Sequence, residues 1–355
     1  MRILQLAPIW ETVPPPAYGG TETVVSCLTE ELVRRGAEVV LCASGDSRSS
    51  AELRSYFPRS LRPAGLTDEA LQYSLMHVTF ALRDAADFDI VHNHNGPPSE
   101  LGMALSHLTP APMLSTLHNN LSKETEFIWS HYRGWYNTIS SAQYRALPCL
   151  PRARYAGVVH NGIDLDAYEF AERKSDYALF IGRFAPEKAP HLAIEAARRA
   201  GVRILLAGKI GAPDERDYFE AEVRPRLDGA SAEFLGEAGG ELKRALFRDA
   251  RCLLAPIQWE EPFGLVMIEA MASGTPAIAF RRGAAPELID HGRTGYLVDD
   301  VASMAEAIEA CGAIDAHACR RHVEQSFGPA ALADNYLRLY EEIIEAESEG
   351  RVALE

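Results

Sequence analysis

Apolar residues along this chain recur in two different spacings. The opening run Arg2-Ile3-Leu4-Gln5-Leu6-Ala7-Pro8 is short and mostly apolar, which reads as a buried strand. A loop rich in proline and glycine follows from Glu11 to Gly20. Over Thr21 to Arg35, Val24, Val25, Leu28 and Leu32 then fall three or four residues apart, on one helix face, and Gly36 suits the left-handed position after a helix. Glu38 to Ala43 reads as a second strand, and strand-like runs recur at Ile90 to His92, Met113 to Leu117, near Tyr136 to Ile139 and at Gly157 to His160. Helical stretches lie between them. Such alternation predicts a parallel sheet with helices on both faces.

The segment Asp166 to Asp176 is polar and lacks periodicity, so it reads as a linker. Beyond it the alternation restarts: strand Tyr177 to Ile181, helix His191 to Ala200, strand Val202 to Ala207, helix Arg216 to Leu227, strand Ala232 to Leu235, helix Gly240 to Arg248, strand Cys252 to Ala255, helix Gly264 to Ala272 and strand Pro276 to Ala279. The predicted class is α/β, with two doubly wound parallel sheets facing a central cleft, where ligands of such sheets bind at the carboxyl edges of the strands. The domains expected are 1–168 and 169–328. The last stretch, Pro329 to Glu347, is an amphipathic helix with Leu332, Tyr336, Leu339, Tyr340, Ile343 and Ile344 on one face. It follows a domain that already looks complete after Gly295 to Val298, so its stripe needs another surface to cover it.

Length agrees with this division, since 355 residues exceed what a single hydrophobic core usually serves. With 47% hydrophobic and 24% charged residues the composition is that of a globular protein. The apolar runs are too short to span a bilayer or, near Met1, to form a signal peptide. The 50 acidic residues outweigh 35 basic ones, for a net charge of −15, which argues against a nucleic-acid or anionic-membrane binder. Cys27, Cys42, Cys149, Cys252, Cys311 and Cys319 are scattered, without a C-x-x-C pair, and read as reduced thiols in a cytoplasmic protein.

Three segments carry candidate chemistry. Tyr18-Gly19-Gly20-Thr21-Glu22 lies between a strand and a helix, where two glycines and a helix N-terminus can receive a phosphate or simply form a tight turn. Gly182-Arg183-Phe184-Ala185-Pro186-Glu187-Lys188 places two cations on a strand-end loop; they either converge on one anion or are solvated. Glu260-Glu261-Pro262-Phe263-Gly264-Leu265-Val266-Met267-Ile268-Glu269 sets Glu261 on a loop and Glu269 in a helix among apolar neighbours. That carboxylate either faces a cleft, is buried at a cost, or sits on a solvated face.

In this order, Gly19-Gly20-Thr21-Glu22, Asn161-Gly162-Ile163-Asp164, Gly182-Arg183 through Lys188, and Glu261-x7-Glu269 with Glu-Ala-Met-Ala-Ser-Gly-Thr-Pro resemble the family 4 retaining glycosyltransferases of the GT-B fold. The opening Val13-Pro14-Pro15-Pro16-Ala17-Tyr18-Gly19-Gly20-Thr21-Glu22 is similar to a bacterial subgroup of that family. The resemblance implies two Rossmann-like domains, with the terminal helix 329–347 returning to the N-terminal, acceptor-side domain and residues 169–328 binding the donor. It implies that Arg183 and Lys188 hold a donor diphosphate with the amides of Gly19, Gly20, Phe263, Gly264 and Leu265. Glu269 would take the ribose hydroxyls, Glu261 the donor sugar, and backbone near Leu235-Gly236 the base; His118 would lie beside the transferred sugar. Two positions depart from the family pattern: Ala189 follows Lys188 where glycine is usual, and Gly283-Ala284-Ala285-Pro286-Glu287 replaces a more glycine-rich loop.

The expected activity is transfer of a hexose from a nucleoside diphosphate sugar, a UDP-sugar such as UDP-glucose favoured and a GDP-sugar possible, to a small-molecule or glycan acceptor. His94, Glu100, Trp129, Tyr132 and Trp135 are candidates for the acceptor side, with core packing the alternative for the aromatics. No cofactor, metal, nucleic acid or strong membrane association is expected. Asp87-Phe88-Asp89, Asp164-Leu165-Asp166 and the set His92, His94 and His118 are nevertheless formal metal candidates. A nucleotide-sugar epimerase and a non-catalytic nucleotide-sugar binder are the rival readings.

Overall fold

The computed structural model describes residues 1–96, 101–122 and 126–352. It divides into two compact units, Met1–Ile163 with Pro329–Glu355, and Asp164–Gly328. No helix among the described residues is long and apolar enough to cross a membrane.

The first unit is built on β1 (Arg2–Leu6), β2 (Glu38–Cys42), β3 (Glu52–Arg54), β4 (Ile90–Asn93), β5 (Met113–Leu117), β6 (Trp135–Thr138) and β7 (Arg154–Val158). All pairings are parallel, in the order β3-β2-β1-β4-β5-β6-β7. Because β1 pairs with β2 on one side and β4 on the other, the order reverses there, and the carboxyl ends of β1 and β4 flank a switch point. The register sets Gln5 opposite His92. Helix Gly20–Arg34 buries Val24, Val25, Leu28 and Leu32, as its spacing predicts.

The terminal helix Pro329–Val352 belongs to this first unit. Leu332, Ala333, Tyr336, Leu339, Tyr340 and Ile343 are buried. Its outer edge is pinned by polar contacts: Arg35 pairs with Asp334 and donates to the Ala330 carbonyl at 3.0 Å, and Trp135 Nε1 donates to Glu347 at 2.8 Å. Two strands escape the hydrophobic pattern. The three residues of β3 are all at least partly exposed, and β7 starts three residues before the expected run, none of its residues being fully buried, with its pairing slipping between Tyr136 and Asn137.

The second unit contains β8 (Tyr177–Ile181), β9 (Arg203–Ala207), β10 (Ala232–Phe234), β11 (Cys252–Ala255), β12 (Ala277–Phe280) and β13 (Gly295–Val298), again all parallel, ordered β10-β9-β8-β11-β12-β13. Its switch point lies between β8 and β11, so the loops leaving those strands, with Arg183 and Lys188 on one and Glu261 on the other, are neighbours.

Three expectations change here. The polar segment after Ile163 is no free linker: Ala171 N–H donates to the Ser273 carbonyl at 3.2 Å, and Lys174 Nζ donates to the carbonyls of Arg248 and Ser273 at 2.9 and 2.8 Å. The unit boundary therefore falls after Ile163 rather than after residue 168. The helix expected over Arg216 to Leu227 breaks into Pro213–Tyr218, a π-helical turn Phe219–Val223 and a 3-10 turn Arg224–Arg226, since Pro225 supplies no N–H to continue an α-helix. The unit is not complete at Val298: helices Val301–Ala310 and Ala316–Ser326 add Met304, Ile308 and Val323 to the buried interior.

Candidate functional site

In the second unit, both cations of the Gly182 to Lys188 loop are engaged by carboxylates. Arg183 donates from Nη1 to Glu215 Oε1 at 2.5 Å and from Nη2 to Glu187 Oε1 at 2.7 Å. Glu215 also accepts from the amides of Gly211 and Ala212 at 2.7 and 3.2 Å. Burial pushes its pKa up, but those N–H donors and the guanidinium outweigh burial and hold it below the usual value. Lys188 Nζ donates to Glu261 Oε2, which also accepts from Trp259 Nε1 at 2.7 Å, and the ammonium lies 5.6 Å from the Trp259 ring centre. Both cations are thus held by carboxylates. Ala189, after Lys188, adopts φ 50 and ψ 49, the left-handed conformation a glycine would take without cost.

Glu261 is also held by the loop that leaves β12. Ala284 N–H donates to the Glu261 carbonyl at 2.9 Å, and a Cβ on Gly283 would lie 2.4 Å from the Glu261 backbone nitrogen and oxygen. Gly283 has φ 52, so both its conformation and its clearance require glycine. Phe263, Gly264 and Leu265 lead into helix Leu265–Ala272, whose first amides have no acceptor within the helix. Leu235, just past β10, is half-buried and donates to the Leu206 carbonyl at 2.9 Å.

Glu269 is 3% exposed, which removes the solvated-face reading. Its Oε1 accepts from Tyr168 OH at 2.6 Å and from Lys243 Nζ at 2.7 Å. Burial, then the Glu269 charge, drive the Tyr168 pKa well above its usual value, so the phenol remains a donor. The second oxygen, Oε2, is buried and has no hydrogen-bond partner. A carboxylate oxygen left so is costly. Tyr168 and Lys243 were not foreseen: the first lies in the supposed linker, the second reads as an ordinary helix-surface lysine.

In the first unit, Gly19 precedes helix Gly20–Arg34 with φ 147, and a Cβ there would come 2.7 Å from Pro15. Gly20 is exposed at the helix start. Glu22 in the first turn is 5% exposed, and burial raises its pKa from 4.5 to about 7, with the Glu11 charge adding to the rise. The neutral carboxyl is the form the fold favours, so stability is lost as pH rises from 4.5 through 7. Glu22→Gln is therefore expected to stabilise by on the order of 3 kcal/mol at pH 8 and to change little below pH 4.5, as read from melting curves at both pH values. Equal gains at both would contradict the assignment.

His118 follows β5 and is 9% exposed. Its Nε2 lies 3.0 Å from His94 Nδ1, and His94 Nε2 lies 2.7 Å from Gln5 Oε1. His94 is 1% exposed, which corrects its placement on an acceptor surface: it stands behind His118. Both nitrogens of His92 are also used, on Tyr340 OH at 2.6 Å and Thr116 Oγ1 at 2.7 Å, so His92 and His94 have no lone pair to offer a metal. The two D-x-D segments are structural as well. Asp89 accepts from the Arg2 amide at 2.7 Å, and Asp164 accepts from the Asp166 amide at 3.1 Å. Among the described residues no group of three or more His, Cys, Asp or Glu side chains is placed to hold a metal ion.

Trp129 and Tyr132 belong to a buried cluster with Met103, Leu117, Tyr136 and Leu150, the core alternative, although both also line a cavity of about 460 Å³ with Phe127 and Ile128. Trp135 is tied to the terminal helix. Glu100 lies outside the described residues.

The chain matches the model described as Glycosyltransferase Family 4 over residues 18–167 and that described as Glycosyl transferases group 1 over residues 166–314. It is 26% identical to glycogen synthase of Mycobacterium tuberculosis (strain CDC 1551 / Oshkosh), over 87% of this chain and 85% of that one. It is 27% identical to phosphatidyl-myo-inositol mannosyltransferase of Mycobacterium leprae (strain TN), over 99% and 100% of the two chains. Among solved structures it resembles AviGT4, a glycosyltransferase involved in avilamycin A biosynthesis, with a TM-score of 0.73 and 25% identity over 97% of this chain and 98% of that one. With two doubly wound units, the Glu-x7-Glu segment on a strand-end loop and helix, and both halves matched by these models, the chain belongs to the family 4 glycosyltransferases of the GT-B type.

Proposed function

We propose that the protein is a retaining glycosyltransferase that moves a hexose from a nucleoside diphosphate sugar, a UDP-sugar such as UDP-glucose favoured, to a small-molecule or glycan acceptor. The observation that carries this reading is the unpartnered, buried Oε2 of Glu269, beside an Oε1 already saturated by Tyr168 and Lys243. A ribose diol supplies the hydroxyl donor that this oxygen lacks. The neighbouring loops then hold what is attached to the ribose. Arg183, Lys188 and the amides of Phe263, Gly264 and Leu265 take the diphosphate, Glu261 a hydroxyl of the sugar, and the backbone at Leu235 the base. In the first unit, Gly19 and Gly20 are assigned to the diphosphate and His118 to the transferred sugar.

Chemically, the bond from the anomeric carbon to the diphosphate oxygen breaks, and a bond to the acceptor oxygen forms on the same face. The acceptor proton ends on the departing phosphate oxygen. The barrier lies in the charge that develops on the leaving group, which preorganised cations and helix amides stabilise. Lys188 spends one of its N–H donors on Glu261, and an ammonium has three, so it can serve the sugar-binding carboxylate and a phosphate together.

With positive charge supplied in this way a divalent cation is dispensable, so turnover is expected to survive EDTA. Complete loss on chelation, restored by Mn²⁺ or Mg²⁺, would contradict that. Donor identity is tested by thermal shift with UDP-, GDP- and ADP-sugars: a ligand at 100 times its dissociation constant stabilises by about 2.7 kcal/mol. The reading expects one class of base to raise the melting temperature, and Glu269→Ala to abolish that rise. No shift with any of them contradicts it.

A further inference from the structure

The first unit contains a chain of buried hydrogen bonds whose direction can be read without seeing a proton. It starts at Asn137, whose Nδ2 lies 3.3 Å from the Thr138 carbonyl, an obligate acceptor, so its Oδ1 faces Thr116 Oγ1 at 2.7 Å. That oxygen only accepts, so it takes the one Thr116 hydroxyl proton. Tyr336 OH, 3.0 Å from Thr116 Oγ1, and His92 Nε2, 2.7 Å from it, must then both donate to Thr116.

The rest follows step by step. A neutral His92 protonated at Nε2 has a bare Nδ1, which accepts from Tyr340 OH at 2.6 Å. With its proton committed, the Tyr340 oxygen accepts from Gln5 Nε2 at 3.2 Å. The Gln5 amide is thereby oriented with Oε1 toward His94, whose Nε2 donates to it at 2.7 Å. His94 Nδ1 is then bare and accepts from His118 Nε2–H at 3.0 Å. Of the two nitrogens of His118, Nδ1 alone is left with an open lone pair. His92 and His94 are sealed, at 0% and 1% exposure, while His118, at 9%, reaches the surface. Burial holds all three pKa values down, to about 4 for His118, so the neutral rings the argument requires are those present near neutral pH.

We propose that this one-way chain is a positioning device. Anchored at the Thr138 carbonyl and passing through Tyr340, Gln5 and His94, it fixes His118 in its Nε2–H tautomer. His118 thereby offers Nδ1 as a hydrogen-bond acceptor to a hydroxyl of the transferred sugar. The proposal rests on the assignment of His118 to that sugar. It gives Tyr340, on the terminal helix, a role in the site although it touches no substrate: its hydroxyl stops the Gln5 amide from turning over. A turned amide would present Nε2 to His94 and reverse both histidines.

The test is the nitrogen spectrum of the protein carrying ¹⁵N-histidine, with steady-state kinetics on the same variants. In the wild type the His118 ring is expected to be protonated at Nε2 and bare at Nδ1. Protonation at Nδ1 overturns the proposal without any variant. Tyr340→Phe is expected to mix or reverse the tautomers of His94 and His118 and to lower kcat about tenfold, with donor KM within twofold. Tyr336→Phe removes an equally buried hydroxyl from the same helix but leaves the path to His118 whole, so it controls for stability and should leave both readouts unchanged. Unaltered tautomers in Tyr340→Phe, or reversed tautomers with unchanged kcat, overturn the proposal. His118→Ala separates the premise from the proposal: full turnover in that variant removes His118 from the reaction, whereas the tautomer spectra report on the chain alone.

Discussion

Replacing Lys188 or Arg183 by alanine is expected to lower donor turnover by about 10²-fold or more. The two side chains sit on the loop leaving β8 at the switch point of the second sheet, where the proposed reaction would develop charge on the departing diphosphate. Each is also an ion-pair partner: Lys188 of Glu261, and Arg183 of Glu187 and Glu215. Removing either leaves a poorly exposed carboxylate with fewer donors, at a cost of about 1–3 kcal/mol. For a unit of this size, 1 kcal/mol lowers the melting temperature by about 2–4 °C, so rates measured at 25 °C isolate the loss of chemistry from the loss of fold. Turnover within threefold of wild type in both variants contradicts the diphosphate assignment.

Deleting the chain from Pro329 onward is expected to cost the first unit its fold. The terminal helix buries Leu332, Tyr336, Leu339, Tyr340 and Ile343, and each such side chain contributes about 1.5–3 kcal/mol. Their sum is on the order of 10 kcal/mol, comparable with the whole stability of a typical domain. The deletion also strands buried polar groups, since Gln5, His92 and Thr116 all bond to its tyrosines. Aggregation or a lost unfolding transition is expected in calorimetry and gel filtration. A truncated protein that stays monodisperse, with its melting temperature and activity unchanged, contradicts this account.

The terminal helix was legible in the sequence because its stripe has the 3.6-residue period, although the domain before it is complete only at Gly328 and not, as expected, near Val298. The Gly182 to Lys188 and Glu261 to Glu269 segments were legible because charge at strand ends and among apolar residues is expensive unless used. What decides their chemistry was not. Glu187 and Glu215 neutralise Arg183, but they read as surface carboxylates on a loop and a helix. Tyr168 and Lys243, which satisfy one oxygen of Glu269 and leave the other without a partner, come from segments without any distinguishing pattern. Period two along β4 and the residue after it places His92 and His94 on one face, yet it cannot say that the face is covered. The returning helix covers His92 with Tyr336 and Tyr340, while Gln5 and His118 take up both nitrogens of His94.

The central claim, that this protein transfers sugar from a nucleoside diphosphate, is tested most directly by incubating the purified chain with UDP-, GDP- and ADP-hexoses without acceptor and resolving the products. Slow release of free sugar and nucleoside diphosphate from one donor, abolished by Lys188→Ala, is the result predicted. A nucleotide sugar returned with altered stereochemistry, or bound tightly and recovered intact, would contradict it.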